Sequence, residues 1–355
     1  MRAPPAAGLS WLPGLPGQPG SNRDCAGAAQ LEPVRAPWPR LFWAALFCTV
    51  GLLCGGAPAA AAPPDEATLD YRLAARELAS GVYVVEGANA DFSRANGCNI
   101  INTGFIVGPE GVLVVNTGPS RRYGEQLRAL IGRTTAQPLK AVLHLNLHPD
   151  YFLGNQAFAD VPRLATATTT AGMRAEAKSY EDNLFRLCGD WMKGTEALLP
   201  DRSVAAGALA LIGRPLELRE FSGHTASDLV LHDAASGVAF VGGLVFVDRV
   251  PTTPHARLPA WLASLDALAA RPYAQMVPSH GPVVANSRGI EQTRAYLRWL
   301  DARFSAAAQQ GLELAELIHE PPPAEFGGFA ALATEYPRNV VHLYPAYESK
   351  SLLPR

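Results

Sequence analysis

The residues able to do chemistry are gathered in a few short segments. Residues 143–154 hold His144, Asn146, His148, Asp150 and Tyr151, residues 223–228 hold His224, and residues 277–281 hold His280. Imidazole nitrogens and a carboxylate are ligand types that zinc takes, and a coordination position left to water would give a nucleophile near neutral pH. Each segment, together with the glycine pair Gly242 and Gly243, adjoins a stretch that reads as a β-strand. Four strand ends meeting at one edge would form a cleft. His144 lies two residues before Asn146 in the strand and shares its face, so it reads first as a core histidine. His255, in the loop 252–255, reads first as simply exposed, with a place overhanging the cleft as the alternative; His232, His319 and His342 carry no signal.

Those segments need a scaffold. Residues 81–86, 100–107 and 111–116 are rich in β-branched residues and bounded by glycine turns, which predicts neighbouring strands. Residues 123–131 carry apolar side chains at helical spacing with Ser120 as a cap, and a strand over 139–145 follows the break at Pro138. Residues 151–198 read as helical around one short strand at 163–166. A second set of strands is expected at 216–221, 228–232, 238–241 and 275–277, with helices at 258–269 and 289–309. The expected fold class is α/β (α+β), a four-layer αββα sandwich of two mixed sheets with helices on both outer faces. It would occupy residues 63–310, with 311–355 as an extension of linker and short helices around Pro321, Pro322 and Pro323.

The whole chain sets further bounds. Its 355 residues are 48% hydrophobic, enough for a sizeable core, and 30 basic against 32 acidic residues leave a formal charge of −2. That balance lacks the electrostatic footprint of a nucleic-acid binder. Residues 1–39 are rich in Pro, Gly and Ala. Arg35 and Arg40 then precede an apolar run at 41–53 and a small-residue tract at 57–62, the order of a secretory signal. Cleavage near Ala60 to Ala62 would leave an exported, periplasmic chain without a membrane anchor, since the run is shorter than the ~20 residues a span needs. Cys25, Cys48 and Cys54 would leave with the leader. The remaining Cys98 and Cys188 are compatible with one disulfide or with two separate buried thiols.

The order and context of the segments resemble the metallo-β-lactamase superfamily, whose pattern is His-x-His-x-Asp-His, a Gly-His-Thr segment, an Asp or Cys after a strand, and a final His. His148, Asp150, His224 and His280 match it, over residues 81–283. Residues 99–108, 189–194, 242–249 and 336–341 look like the quinoprotein relay system zinc metallohydrolases, a branch found beside quinone-cofactor dehydrogenases. The resemblance implies one or two Zn²⁺ ions, a small-molecule substrate and a periplasmic quinoprotein dehydrogenase as partner. It also exposes departures: Asn146, Tyr151 and Gly243 stand where three ligands belong, and Asn116 where an orienting Asp usually stands. The first metal site keeps His148 and His224, the second Asp150 and His280. Two functions follow. One is a hydrolase of an ester, thioester or amide, with a single zinc gathered from the quartet, helped by His144 or His255, and Asp150 as ligand and proton acceptor. The other keeps the fold as a binding module whose pocket is lined by Asn116, Asn146, Tyr151 and the retained histidines. Tyr151 is either a gatekeeping phenol or an aromatic plug.

Overall fold

The computed structural model describes residues 62–351, so the expected leader and signal sequence lie outside it. Seven strands build the first sheet in chain order: β1 (Arg76–Ala79), β2 (Val82–Val85), β3 (Thr103–Gly108), β4 (Gly111–Val115), β5 (Leu139–Leu143), β6 (Arg163–Ala165) and β7 (Arg202–Ser203). The pairs from β1 to β4 are antiparallel and those from β4 to β7 parallel. The second sheet holds β8 (Gly207–Leu209), β9 (Leu216–Phe221), β10 (Asp228–Asp233), β11 (Val238–Phe246) and β12 (Gln275–His280). Its neighbours are antiparallel except for the parallel pair β11 and β12.

Side-chain alternation divides the apolar residues among three cores. Ile106, Leu113 and Val115 from the first sheet meet Leu229, Leu231 and Phe240 from the second in the layer between the sheets. Their neighbours Phe105, Val112 and Val114 point outward beneath α1 (Arg121–Thr134) and α3 (Ala167–Cys188), joining Leu127, Ile131 and Met173. On the opposite face Val230, Ala239 and Val241 lie beneath α4 (Leu258–Ala269) and α5 (Arg288–Gln310), with Trp261, Leu265, Leu297 and Leu300. Two mixed sheets with helices outside are the expected αββα class. Ser120 caps α1 as expected, its Oγ accepting from Tyr123 N at 3.1 Å.

Three elements differ from expectation. β11 runs nine residues, through Gly242 and Gly243, with Gly242 paired to Pro278 of β12 across a shift of register and Phe246 paired to His280. β12 runs on to His280 through Pro278. The C-terminal part, expected as short helices, holds α6 (Leu314–His319) and then α7 (Leu332–Ser351), twenty residues long despite Pro337 and Pro345, whereas α2 (Pro149–Phe152), between β5 and β6, is a single turn. Its stripe of Tyr336, Val340, Leu343 and Tyr344 enters the same core as α5 and β11, and that burial outweighs the ~3 kcal/mol an internal proline costs.

Cys98 and Cys188 form a disulfide with Cα atoms 5.9 Å apart, tying the loop before β3 to the end of α3. Among the described residues no helix is long and apolar enough to cross a membrane.

Candidate functional site

The cleft is assembled at the ends of β4, β5, β11 and β12. Where β4 ends, Asn116 adopts a left-handed backbone (φ 58°), which Asn tolerates, and its Oδ1 accepts from Leu145 N at 3.1 Å. Asn116 therefore clamps β4 to β5, a structural task. Past β5 the chain bends where Asn146 Oδ1 accepts from His148 N at 3.1 Å, and α2 begins with Pro149 after His148 as N-cap. That one-turn helix carries Asp150 and Tyr151 inward. His144 is wholly buried and its Nδ1 lies 3.0 Å from Tyr151 O, so it belongs to the core and not to the ligand set.

The four matched residues form two pairs. His148 and His224 have ring centroids 4.6 Å apart. His224 donates from Nδ1 to Asp228 Oδ1 at 3.0 Å, while Asp228 Oδ2 accepts from Thr225 N at 2.8 Å; His224 Nε2 has no hydrogen-bond partner. His148 Nε2 faces His255 Nδ1 at 3.2 Å, so His255 does overhang the site, half-buried. In the other pair His280 donates from Nδ1 to Ile100 O at 2.7 Å, which turns Nε2 toward Asp150 Oδ2 at 3.7 Å, an oxygen with no hydrogen-bond partner. Phe246 lies between the pairs, its ring 5.2 Å from that of His280 and 5.8 Å from that of His224.

Burial dominates the electrostatics. It pushes Asp150 up to about 7, against the opposing pull of a backbone hydrogen bond and of Arg249. Burial, with the neighbouring histidines, takes His148 well below the usual imidazole value; burial and the charge of Arg249 do the same to His280. Burial lowers His255 to about 4 and lifts the Tyr151 phenol well above its usual value. At neutral pH the imidazoles of His148, His255 and His280 are thus neutral and the Tyr151 phenol protonated.

A catalytic zinc takes three protein ligands. Here the amide of Asn146 and the phenol of Tyr151 occupy two ligand positions, and Gly243 offers none. A Cβ built at Gly243 would fall 2.1 Å from both Cε1 and Nδ1 of His224, so this imidazole fills the space a side chain at 243 would need. Among the described residues no three His, Cys, Asp or Glu side chains are grouped to hold a metal ion. The donor set does not fit the two-zinc centre. The cleft is also closed: Asn146 and Tyr151 are 0% exposed and His148, the most open of the matched residues, 7%. The loop after β11 covers it and is pinned to α7, where Thr253 Oγ1 donates to Asn339 Oδ1 at 2.8 Å and lies 3.3 Å from His342 Nδ1.

Sequence reasoning passed over four contributors: Asp228, Phe246, Arg249 and His342. The first three lie inside segments already singled out. His342 had no signal, because only the packing of α7 brings it to the cleft.

The αββα sandwich with its histidines and aspartate at the strand ends defines a metallohydrolase-type scaffold. The model of the metallo-β-lactamase superfamily matches residues 96–280, a little over half of the chain, and the chain belongs to that superfamily, one of hydrolases that typically bind zinc. Among curated proteins the chain is similar to a linear primary-alkylsulfatase from a Pseudomonas species, 22% identical over 285 residues, which is 67% of this chain and 53% of the relative. The chain thus spans about half the length of that relative. Among solved structures it is similar to a metallo-β-lactamase from Pontibacter korlensis (24% identity, TM-score 0.52, 64% of this chain and 99% of that one). It is also similar to the metallo-β-lactamase FIM-1 from Pseudomonas aeruginosa in its mono-zinc form (18% identity, TM-score 0.51, 64% of this chain and 96% of that one). At these identities the structures speak for the fold alone.

Proposed function

We propose that this chain is an exported, periplasmic member of the superfamily in which the hydrolytic two-zinc centre has given way to a closed polar cluster that recognises a small molecule, a quinone or an alcohol-derived metabolite, beside a quinoprotein dehydrogenase. The observation that carries this reading is the imidazole of His224 seated in the room left by Gly243 and held there by Asp228. The export signal of residues 35–62 and the resemblance to the quinoprotein relay branch support the setting and the partner. The test is the mature protein, refolded with excess zinc and dialysed. Zinc well below one equivalent by elemental analysis, with no hydrolysis of ester, thioester, amide or alkyl sulfate substrates, is the expected result.

A second reading, a hydrolase with one zinc, is favoured by the pair Asp150 and His280, whose facing atoms lie 3.7 Å apart, and by the relatives named above. Near-stoichiometric zinc together with zinc-dependent turnover of any of those substrates would select it and end the first.

A further inference from the structure

The cleft is sealed, so a small molecule that reaches it must pass a part of the wall that moves. Residues 251–256 are lightly tied. They belong to neither helix nor strand, and Pro251 and Pro254 bring no N–H to the backbone. Among the described residues, the backbone of this stretch makes one hydrogen bond, within itself, from Ala256 N to Thr253 O at 3.1 Å. Its two ends are firm. On one side Arg249 Nη1 donates to Ala90 O and Val250 N donates to Ala330 O at 3.1 Å. On the other Arg257 N donates to Gly223 O at 2.7 Å, and α4 begins at Leu258.

Between those ends two side chains hold the stretch down. His255 reaches into the cleft, its Nδ1 3.2 Å from His148 Nε2 and the two rings 5.4 Å apart. Thr253 reaches α7: its Oγ1 donates to Asn339 Oδ1 at 2.8 Å and lies 3.3 Å from His342 Nδ1. Side-chain hydrogen bonds of this kind contribute little each, so such a stretch opens far more readily than the strands beside it. We propose that residues 251–256 are a lid that swings between Val250 and Arg257 to admit the small molecule, and that α7, by gripping Thr253, sets how often it opens. This rests on the reading of the cleft as a small-molecule site, but opening is measurable with no ligand at all. The lid gives access to side chains that are 0–7% exposed when it is shut. α7 lies beyond residues 96–280, so its control of the lid is an addition to the part of the scaffold that the superfamily shares.

The probe is diethyl pyrocarbonate, which carbethoxylates accessible imidazoles, followed by peptide mass spectrometry in the mature wild type and in Thr253→Val and Asn339→Ala. Histidines of the same molecule calibrate one another: His319 is exposed, His148 lies under the lid, and His144 is wholly buried in the core and reports global unfolding. In the wild type His148 is expected to react far more slowly than His319 and faster than His144. Thr253→Val removes the hydroxyl and keeps the shape, and it should raise the rate at His148 relative to His319 about tenfold with His144 unchanged. Asn339→Ala should raise it at least as much. The lid is overturned if wild-type His148 reacts as fast as His319 or no faster than His144, if His148 and His144 speed up together in the variants, or if Thr253→Val leaves His148 unchanged. Should Asn339→Ala fail to fold, Thr253→Val decides by the same ratio. A protein that opens in this way and yet binds none of the quinones and alcohols would end the proposed function and leave the lid standing.

Discussion

Replacing Gly243 by alanine tests the central geometric claim with a single methyl group. The added Cβ would fall 2.1 Å from His224 Cε1 and Nδ1 and 2.9 Å from Asn146 Nδ2, distances that require something to move. Gly243 has no positive φ, so the effect is steric and not one of backbone strain. His224 has little freedom: Trp261 lies 5.1 Å from its ring, Phe246 5.8 Å, and Asp228 holds its Nδ1. Overpacking a tight core costs about 1–3 kcal/mol, and losing a buried hydrogen bond to a charged group costs about as much again. The expected destabilisation is therefore about 2–5 kcal/mol, or a fall in Tm of about 4–10 °C for a domain of this size. Urea and thermal unfolding measure it directly. The double variant Gly243→Ala with His224→Ala gives the sharper reading, since removing the imidazole clears the space. The pair should couple by at least about 1 kcal/mol, the double variant being more stable than the two single losses predict. A Gly243→Ala protein within about 0.5 kcal/mol of wild type, or strict additivity in the cycle, would refute the claim that His224 fills the ligand's place.

Three other expectations concern the scaffold. Reduction of the Cys98–Cys188 disulfide, which closes a loop of 90 residues, should cost about 4–5 kcal/mol by the chain-entropy account, and the native protein should show no free thiol in these positions by thiol titration after unfolding without reductant. Asn339→Ala removes a partner from Thr253, which keeps His342 Nδ1 at 3.3 Å, and from Tyr296, whose OH accepts from Asn339 Nδ2 at 3.0 Å; the loss should cost about 1–3 kcal/mol and speed amide exchange in residues 249–257, and unchanged exchange there would count against α7 as the clamp on that loop. Asp233 is pushed up by burial, but Arg214 Nε at 2.7 Å and Nη2 at 2.6 Å, with Ser236, bring it net below the usual carboxylate value. Its contribution is thus present above the unfolded value of about 3.9 and lost as pH falls through the lower folded value. Arg214→Leu should cost about 3–5 kcal/mol near neutrality and flatten the acid limb of Tm against pH; an unaltered limb would show that the pair does not set it.

The scaffold was readable because its signals are local. β-Branched runs ending in glycine turns marked β2, β3 and β4, and alternation such as Phe105 outward and Ile106 inward assigned their faces. What escaped depends on distant partners. β11 reads as stopping at the glycine pair because glycine weakens a strand on its own, yet β12 pairs with it past the glycines, Gly242 with Pro278 and Phe246 with His280. The proline pair in α7 hid a twenty-residue helix whose stability comes from the core it enters. Arg249 follows Asp248 in what reads as a charged surface turn, and residue type alone places arginine outside. His255 was read as more often exposed than not, and its partner is 107 positions away.

The ligand positions were legible as residue types, but their meaning was not, because a lost ligand changes its neighbours. Counted singly, Asn146, Tyr151 and Gly243 are three absences from a zinc centre. In the structure they are occupied and coupled: Asn146 shapes the turn before His148, Tyr151 is packed without exposure, and Gly243 yields its space to an imidazole that Asp228 retains. Restoring ligands one at a time should therefore fail. Gly243→Asp would bring not only a carboxylate but also the Cβ that collides with His224, so the imidazole would have to shift before the new carboxylate could fit. On the proposed reading the first step toward a metal centre is therefore to move His224, and a Gly243→Asp protein that bound zinc with His224 unmoved would count against it.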